Sequence, residues 1–204
     1  MQVEVLLTGI GGQGIQLSAK TLALAAVAEG RQAMMCGQYA GAMRGGQTDA
    51  TVVVADGSLR ALPILPSAWS AFVMSAEYWE PTRARIRPGG IAVANGSLIG
   101  SDLPHDGIEL FLVPAGRIAT ELSAPMSASY VLLGAYAAIT GLVGVDALIG
   151  AMKEMVPSYR TQHLAANEAA LRAGAEAGPV GAAPAWAGRL DRSGPVAAAG
   201  GASR

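Results

Sequence analysis

Residues 8 to 14 read Thr8-Gly9-Ile10-Gly11-Gly12-Gln13-Gly14, and the segments they join decide the fold. Before them, Val3-Glu4-Val5-Leu6-Leu7 is a short apolar-rich strand. After them, Ile15 to Glu29 is rich in Ala and Leu and closed by Gly30, which predicts a helix. Gly9, Gly11 and Gly14 fit the G-x-G-x-x-G spacing of a strand-to-helix turn, and Gly12 adds another residue without Cβ. Such a turn can aim backbone N–H groups at an anion on the positive end of the helix. Gln13 adds an amide at its mouth. Three uses are open: a dinucleotide site, a contact to an anion or coenzyme phosphate, and a tight turn that serves close packing alone. The first lacks its ribose ligand. The acidic residue about twenty positions on, where a dinucleotide site needs one, is Glu29 at the helix end, and the second strand closes with Cys36-Gly37-Gln38.

Strand and helix signals alternate beyond the turn. Ala33 to Cys36, Thr48 to Ala55, Ala71 to Met74, Ile91 to Ala94 and Ile108 to Val113 read as strands, the second of these ending at the turn signal Asp56-Gly57. Glu77 to Ile86 reads as a helix broken by Pro88-Gly89-Gly90. Downstream of Pro114 the helices Ala115 to Leu122, Ser127 to Thr140, Val145 to Met155 and His163 to Ala173 are separated by Pro125, Gly141 and Pro157. The expected fold is α/β: a mainly parallel, Rossmann-like sheet with helices on both faces, a helical C-terminal part and a flexible tail. The domain is expected to cover 1–178. Residues 179–204 form a Gly/Ala/Pro-rich tail, in which Trp186 is the side chain able to dock on a neighbour.

Composition limits the chemistry. With 204 residues and 51% hydrophobic content the chain can bury one substantial core. Its 14 basic and 15 acidic residues give a net charge of -1 without long blocks, so nucleic acid and anionic membranes are not expected partners. A single cysteine, Cys36, excludes an intrachain disulfide and a self-contained four-thiolate cluster. Met1-Gln2-Val3-Glu4 lacks the basic start of a secretory signal and reads as the beginning of a buried first strand, so a cytoplasmic location is expected. Leu122 to Val145 is uncharged and long enough to span a bilayer, but its Ala, Gly, Ser, Thr and Pro125 favour tightly packed soluble helices.

A second glycine-rich stretch, Tyr39-Ala40-Gly41-Ala42-Met43-Arg44-Gly45-Gly46, offers a fixed cation with backbone able to approach a partner closely. Arg44 suits either a ligand's phosphate or carboxylate, or an ion pair in an interface loop. Other candidates read as structure. Cys36 is expected to be a small buried hydrophobe between Met34 and Tyr39, His105 lies in a surface turn, and His163 and Asn167 share a packing or capping face of the last helix. Trp69, Phe72, Tyr78 and Trp79 are core or subunit anchors, and no two histidines have metal-ligand spacing.

The pairing of Thr8-Gly9-Ile10-Gly11-Gly12-Gln13-Gly14 with Arg44-Gly45-Gly46 resembles the gamma subunit, or gamma domain, of the thiamine-diphosphate-dependent 2-oxoacid:acceptor (ferredoxin) oxidoreductases. The resemblance extends from Val3 to Gly174, through Ala61-Leu62-Pro63, Val113-Pro114 with Ala119, Tyr130-Val131-Leu132-Leu133-Gly134-Ala135, and Asn167 with Gly174. One departure is Ala42, where many relatives carry glutamate. The resemblance implies a subunit of an enzyme that oxidatively decarboxylates a 2-oxoacid, usually to an acyl-CoA. It further implies alpha and beta subunits holding thiamine diphosphate and magnesium, iron–sulfur clusters in partner chains such as a ferredoxin-like delta subunit, and ferredoxin or another electron acceptor. No catalytic residue or metal ligand is expected here, and the isolated chain is expected to be inactive. The candidate cofactor-binding residues are Gly9, Gly11, Gly12, Gln13, Gly14, Arg44, Gly45 and Gly46, with coenzyme A as the group they would contact. The competing reading is an autonomous nucleotide-binding oxidoreductase.

Overall fold

A computed structural model describes residues 1–39, 45–60, 63–155 and 158–186. Six strands form one sheet in the order β2-β3-β1-β4-β5-β6: β1 (Gln2–Ile10), β2 (Gln32–Tyr39), β3 (Gln47–Ala55), β4 (Ala68–Val73), β5 (Ile86–Asn95) and β6 (Glu109–Val113). The pairs β1–β4, β4–β5 and β5–β6 are parallel, whereas β3 runs antiparallel to both β1 and β2. Five strands therefore point one way. β3 is wedged against them, with Gln2 opposite Ala55 and Ile10 opposite Gln47.

Alternation along the strands sorts two apolar faces. Val3, Val5, Leu7, Val52, Val54, Phe72 and Val93 point to the first, under α1 (Ile15–Ala28), α4 (Ala128–Thr140) and α5 (Val145–Met155). Leu6, Val53, Ala71, Val73, Ala92 and Ala94 point to the second. That side is covered by Trp79 from the short α2 (Trp79–Arg83) together with Leu65 and Ile99. Helices thus stand on both faces, in unequal share. Trp69 and Phe72 are buried on the first side and Trp79 on the second, its indole N–H donating to the Pro104 carbonyl at 2.9 Å.

The expected helix Glu77 to Ile86 is shorter than its pattern. A 3-10 turn (Ala76–Tyr78) leads into α2, which stops at Arg83 because Ile86 already pairs with Ala68. Pro88-Gly89-Gly90 does not precede β5 but lies inside it. Between the pairs Ala68↔Ile86 and Ser70↔Ile91 the strand bulges outward, with Gly89 at φ 74°. A Cβ on Gly90 would collide with the Trp69 carbonyl, so only glycine lets the bulge close.

The uncharged stretch near residue 130 becomes α4, apolar all round because it is buried all round. One side meets the sheet, where the Tyr136 and Ser70 hydroxyls lie 2.8 Å apart. The other meets α6 (Leu164–Ala177), and both contacts require glycine: a Cβ on Gly134 would strike the Leu171 carbonyl, and one on Gly174 the Val131 carbonyl. No described helix is long and apolar enough to cross a membrane.

A helix end leaves its final carbonyls without intrahelical donors. In α4 all four are satisfied. Gly141, at φ 57°, donates to Ala137 O at 2.7 Å, and the segment beyond α6 supplies the rest: Gly181 N to Ala138 O (2.8 Å), Ala183 N to Ile139 O (3.1 Å) and Ala185 N to Thr140 O (2.7 Å). Trp186 completes this strap by donating to Leu142 O at 3.1 Å, with the Arg31 guanidinium 4.7 Å from its ring centroid. Ala185 is fully buried.

Candidate functional site

The glycine turn leaves β1 at the carboxyl end of the parallel strands and enters α1, as its sequence predicts. Gly14 caps the helix in the left-handed region (φ 78°), and Gly12 is also left-handed at φ 100°. Gln13 folds back so that its Oε1 accepts from Ile10 N at 2.8 Å while its own N–H donates to Ile10 O at 3.0 Å. The expected polar amide at the mouth therefore braces the turn. No side chain caps α1 and its first turn holds no acid, so the positive end of the helix is uncompensated among the described residues.

The two glycine motifs meet. Gly11 N donates to Gly46 O at 2.9 Å, and a Cβ on Gly11 would lie 3.3 Å from Gly45 N and 3.5 Å from Gly46 O. Gly45 is left-handed at φ 97°. Gly9 is closed by Gln13 and Ile15, and Gly14 by Ser129 at the start of α4. Gly12 and Gly45, by contrast, are exposed, and among the described residues nothing lies within 4 Å of where a Cβ would stand. The backbone open to a partner is thus at Gly12 and Gly45. Arg44 lies outside the described residues, as does Ala42.

Asp49 is a member of this site that the sequence reading missed. Its carboxylate accepts from Thr8 Oγ1 at 2.6 Å and Gln47 Nε2 at 2.9 Å, and its carbonyl accepts from Gln16 Nε2 at 2.6 Å. One residue ties the end of β1, the start of β3 and the first turn of α1. The signal available was a lone acid inside a β-branched run. Nearby Tyr78 has its phenol held above the ordinary value by partial desolvation, then by the Glu77 and Asp49 carboxylates.

Among the described residues, the acid about twenty positions beyond the turn is not placed to meet a ribose there. Glu29 sits at the far end of α1, about 20 Å along a helix of this length, with its carboxylate accepting from Gly144 N at 2.6 Å and paired with Arg31. The antiparallel β3 also separates β1 from β2, so the end of β2 cannot serve as the ribose edge beside the turn. Three smaller expectations are settled here. Cys36 is half-buried rather than buried, because β2 is an edge strand. His105 is exposed, its Nδ1 2.9 Å from the Leu103 carbonyl. His163 occupies the N-cap position of α6 without a capping bond, while Asn167 accepts from Ser127 Oγ at 2.8 Å.

The family profile described as pyruvate ferredoxin/flavodoxin oxidoreductase matches residues 4–177. The chain belongs to this family. Within the pyruvate ferredoxin/flavodoxin oxidoreductases it is a gamma subunit of a 2-oxoacid:ferredoxin oxidoreductase. It is 28% identical over 160 residues to the 2-oxoglutarate synthase subunit KorC of Methanocaldococcus jannaschii, covering 77% of this chain and 85% of that one. It is 27% identical over 157 residues to the pyruvate synthase subunit PorC of Methanothermobacter thermautotrophicus, covering 76% and 86%. The names of these relatives divide between two substrates. In fold, the chain is similar to the keto/oxoacid ferredoxin oxidoreductase gamma subunit of Geobacter sulfurreducens PCA, with TM-score 0.75 and 24% identity over 87% of this chain and 96% of that one. A 2-oxoglutarate:ferredoxin oxidoreductase from Magnetococcus marinus, solved with 2-oxoglutarate, coenzyme A and succinyl-CoA bound, has TM-score 0.76 and 20% identity over 88% of this chain and 32% of that one.

Proposed function

We propose that this gamma subunit completes a cytoplasmic 2-oxoacid oxidoreductase whose chemistry is housed in partner chains, and that its joined glycine turns border the path of coenzyme A. Alpha and beta subunits hold thiamine diphosphate and magnesium, and clusters in partner chains carry electrons toward ferredoxin or another acceptor. The 2-oxoacid loses carbon dioxide, its acyl carbon is oxidised, the electrons leave through the clusters, and the thiol of coenzyme A takes the acyl group. A single cysteine supports this division of labour, since no cluster can be ligated by one thiolate.

The observation that carries the coenzyme reading is the meeting of the two glycine motifs. Open backbone at Gly12 and Gly45 stands beside the uncompensated end of α1, which suits a phosphate of a nucleotide-bearing substrate. Gly12 and Gly45 would approach the anion, Asp49 would keep the two turns in register, and Arg44 would supply the fixed charge.

The test is Arg44→Lys in the natively purified complex. Lysine keeps the charge but loses the planar fork. A coenzyme contact predicts assembly retained with coenzyme A bound about tenfold more weakly, on the order of 1.4 kcal/mol. A contact to an inter-subunit carboxylate predicts normal coenzyme affinity and a complex that dissociates more readily. Unchanged affinity, stability and turnover would remove Arg44 from both roles. The isolated chain, supplied with thiamine diphosphate, magnesium, coenzyme A, 2-oxoacid and acceptor, should show no turnover; sustained turnover would overturn the subunit reading.

A further inference from the structure

The sheet has two edges, β2 and β6. β6 is short, five residues beginning at the exposed Glu109. β2 is longer, and its eight residues keep an unbroken register with β3 from Gln32↔Ala55 to Tyr39↔Thr48. Edge strands are ordinarily blunted by charge, proline or a bulge. β2 has none of these: Gln32-Ala33-Met34-Met35-Cys36-Gly37-Gln38-Tyr39 is uncharged and free of proline. Its outer side pairs with no described strand. Met34 is 38% exposed, Gln32 and Gln38 are exposed, and Cys36 is half-buried.

We infer that β2 pairs antiparallel with β2 of a second copy of this chain, about a two-fold axis perpendicular to the sheet that passes midway between Met35 and the partner's Met35. A two-fold interface places residue i opposite j and j opposite i. Side chains opposite one another share a face, so one residue must face its own copy across the axis. Met35 is the centre that matches like with like. It sets Gln32 against the partner's Gln38, Ala33 against the partner's Gly37 and Met34 against the partner's Cys36, which joins amide with amide, small with small and thioether with thiol. Moving the centre to Met34 puts Gln32 against Cys36 and Arg31 against Gly37; moving it to Cys36 puts Met34 against Gln38. Gln32, Met34, Cys36 and Gln38 stand on the second face, opposite Ala55, Val53, Thr51 and Asp49 of β3. The strand is thus a chemical palindrome, and the pair forms one continuous sheet with no free β2 edge.

The full chain is tested by sedimentation and cross-linking. The native chain should sediment at twice its own mass, and Met34→Lys, which puts a charge on the edge, should weaken association at least tenfold while leaving the circular dichroism unchanged. Met34→Cys brings a thiol directly opposite the partner's Cys36, within reach of a disulfide. Mild oxidation should then convert that variant into a covalent dimer. Adding Cys36→Ala to it should abolish the cross-link, because the register leaves the thiol at 34 facing alanine. A monomeric native chain, as would result if an unlike partner subunit covers this edge, would overturn the inference. So would a cross-link that survives Cys36→Ala.

Discussion

Gly14 and Gly12 are neighbours in one turn, both left-handed, yet they answer to different constraints. Among the described residues a Cβ at Gly12 meets nothing within 4 Å, whereas a Cβ at Gly14 would lie 2.5 Å from Ser129 Oγ and 3.3 Å from Ser129 Cβ. Gly12→Ala should therefore cost only the backbone penalty, about 1 kcal/mol. Gly14→Ala adds overpacking against α4 and should cost about 3 kcal/mol. Urea midpoints with unchanged slopes would give both values; equal losses would show that Ser129 gives way. The spacing made the glycines legible as a turn, because a left-handed residue before a helix favours glycine whatever surrounds it. Which of them are closed was not legible. Ser129 is contributed from far along the chain, and nothing local to Gly14 announces it. Asp49 escaped for the same reason, since its partners Thr8 and Gln16 belong to other elements.

At the scale of elements, the α4 strap makes the sharpest forecast. Trp186→Ala removes a half-buried ring, its hydrogen bond to Leu142 O and its contact with Arg31, and should cost about 2 kcal/mol. Truncation after Gly178 should cost more, since it strips the donors from Ala138, Ile139 and Thr140 carbonyls. Amide exchange along the last turn of α4 should quicken in the truncated chain and stay native in one cut after Trp186. The sequence predicts all six strands near their observed places, because alternation and β-branching are local signals. It does not reveal that β3 runs backward. A strand such as Thr48 to Ala55, whose Val52, Val53 and Val54 are buried on both faces, reads the same in either direction. Nor does it reveal the bulge in β5: Pro-Gly-Gly signals a break in a helix as well as in a strand, and the choice was made by Ile86 pairing with Ala68. The strap was hidden by its composition, for its alanines and glycines bond through backbone and carry no apolar period.

For the molecule as a whole, the helical layer carries an acid-sensitive tie. Glu168 on α6 pairs with Lys153 on α5 at 2.6 Å and with Arg172 at 3.1 Å, and Arg172 also reaches Asp146 at 3.3 Å. The Lys153 and then the Arg172 hydrogen bonds hold the Glu168 carboxyl below its ordinary value of 4.5. A depressed acid stabilises the fold above its unfolded value, and that contribution is lost as pH falls through the folded one. Melting temperatures of native chain and Glu168→Gln should therefore differ at neutral pH and converge below pH 4.5; a gap constant with pH would place the contribution elsewhere. The strap also bears on how the protein is made. Trp186 meets its acceptor 44 positions after the ribosome has laid that acceptor down. Until then the most deeply embedded helix waits with an open end. A chain that ends before Gly181 leaves the Ala138, Ile139 and Thr140 carbonyls of α4 without the donors that close its last turn.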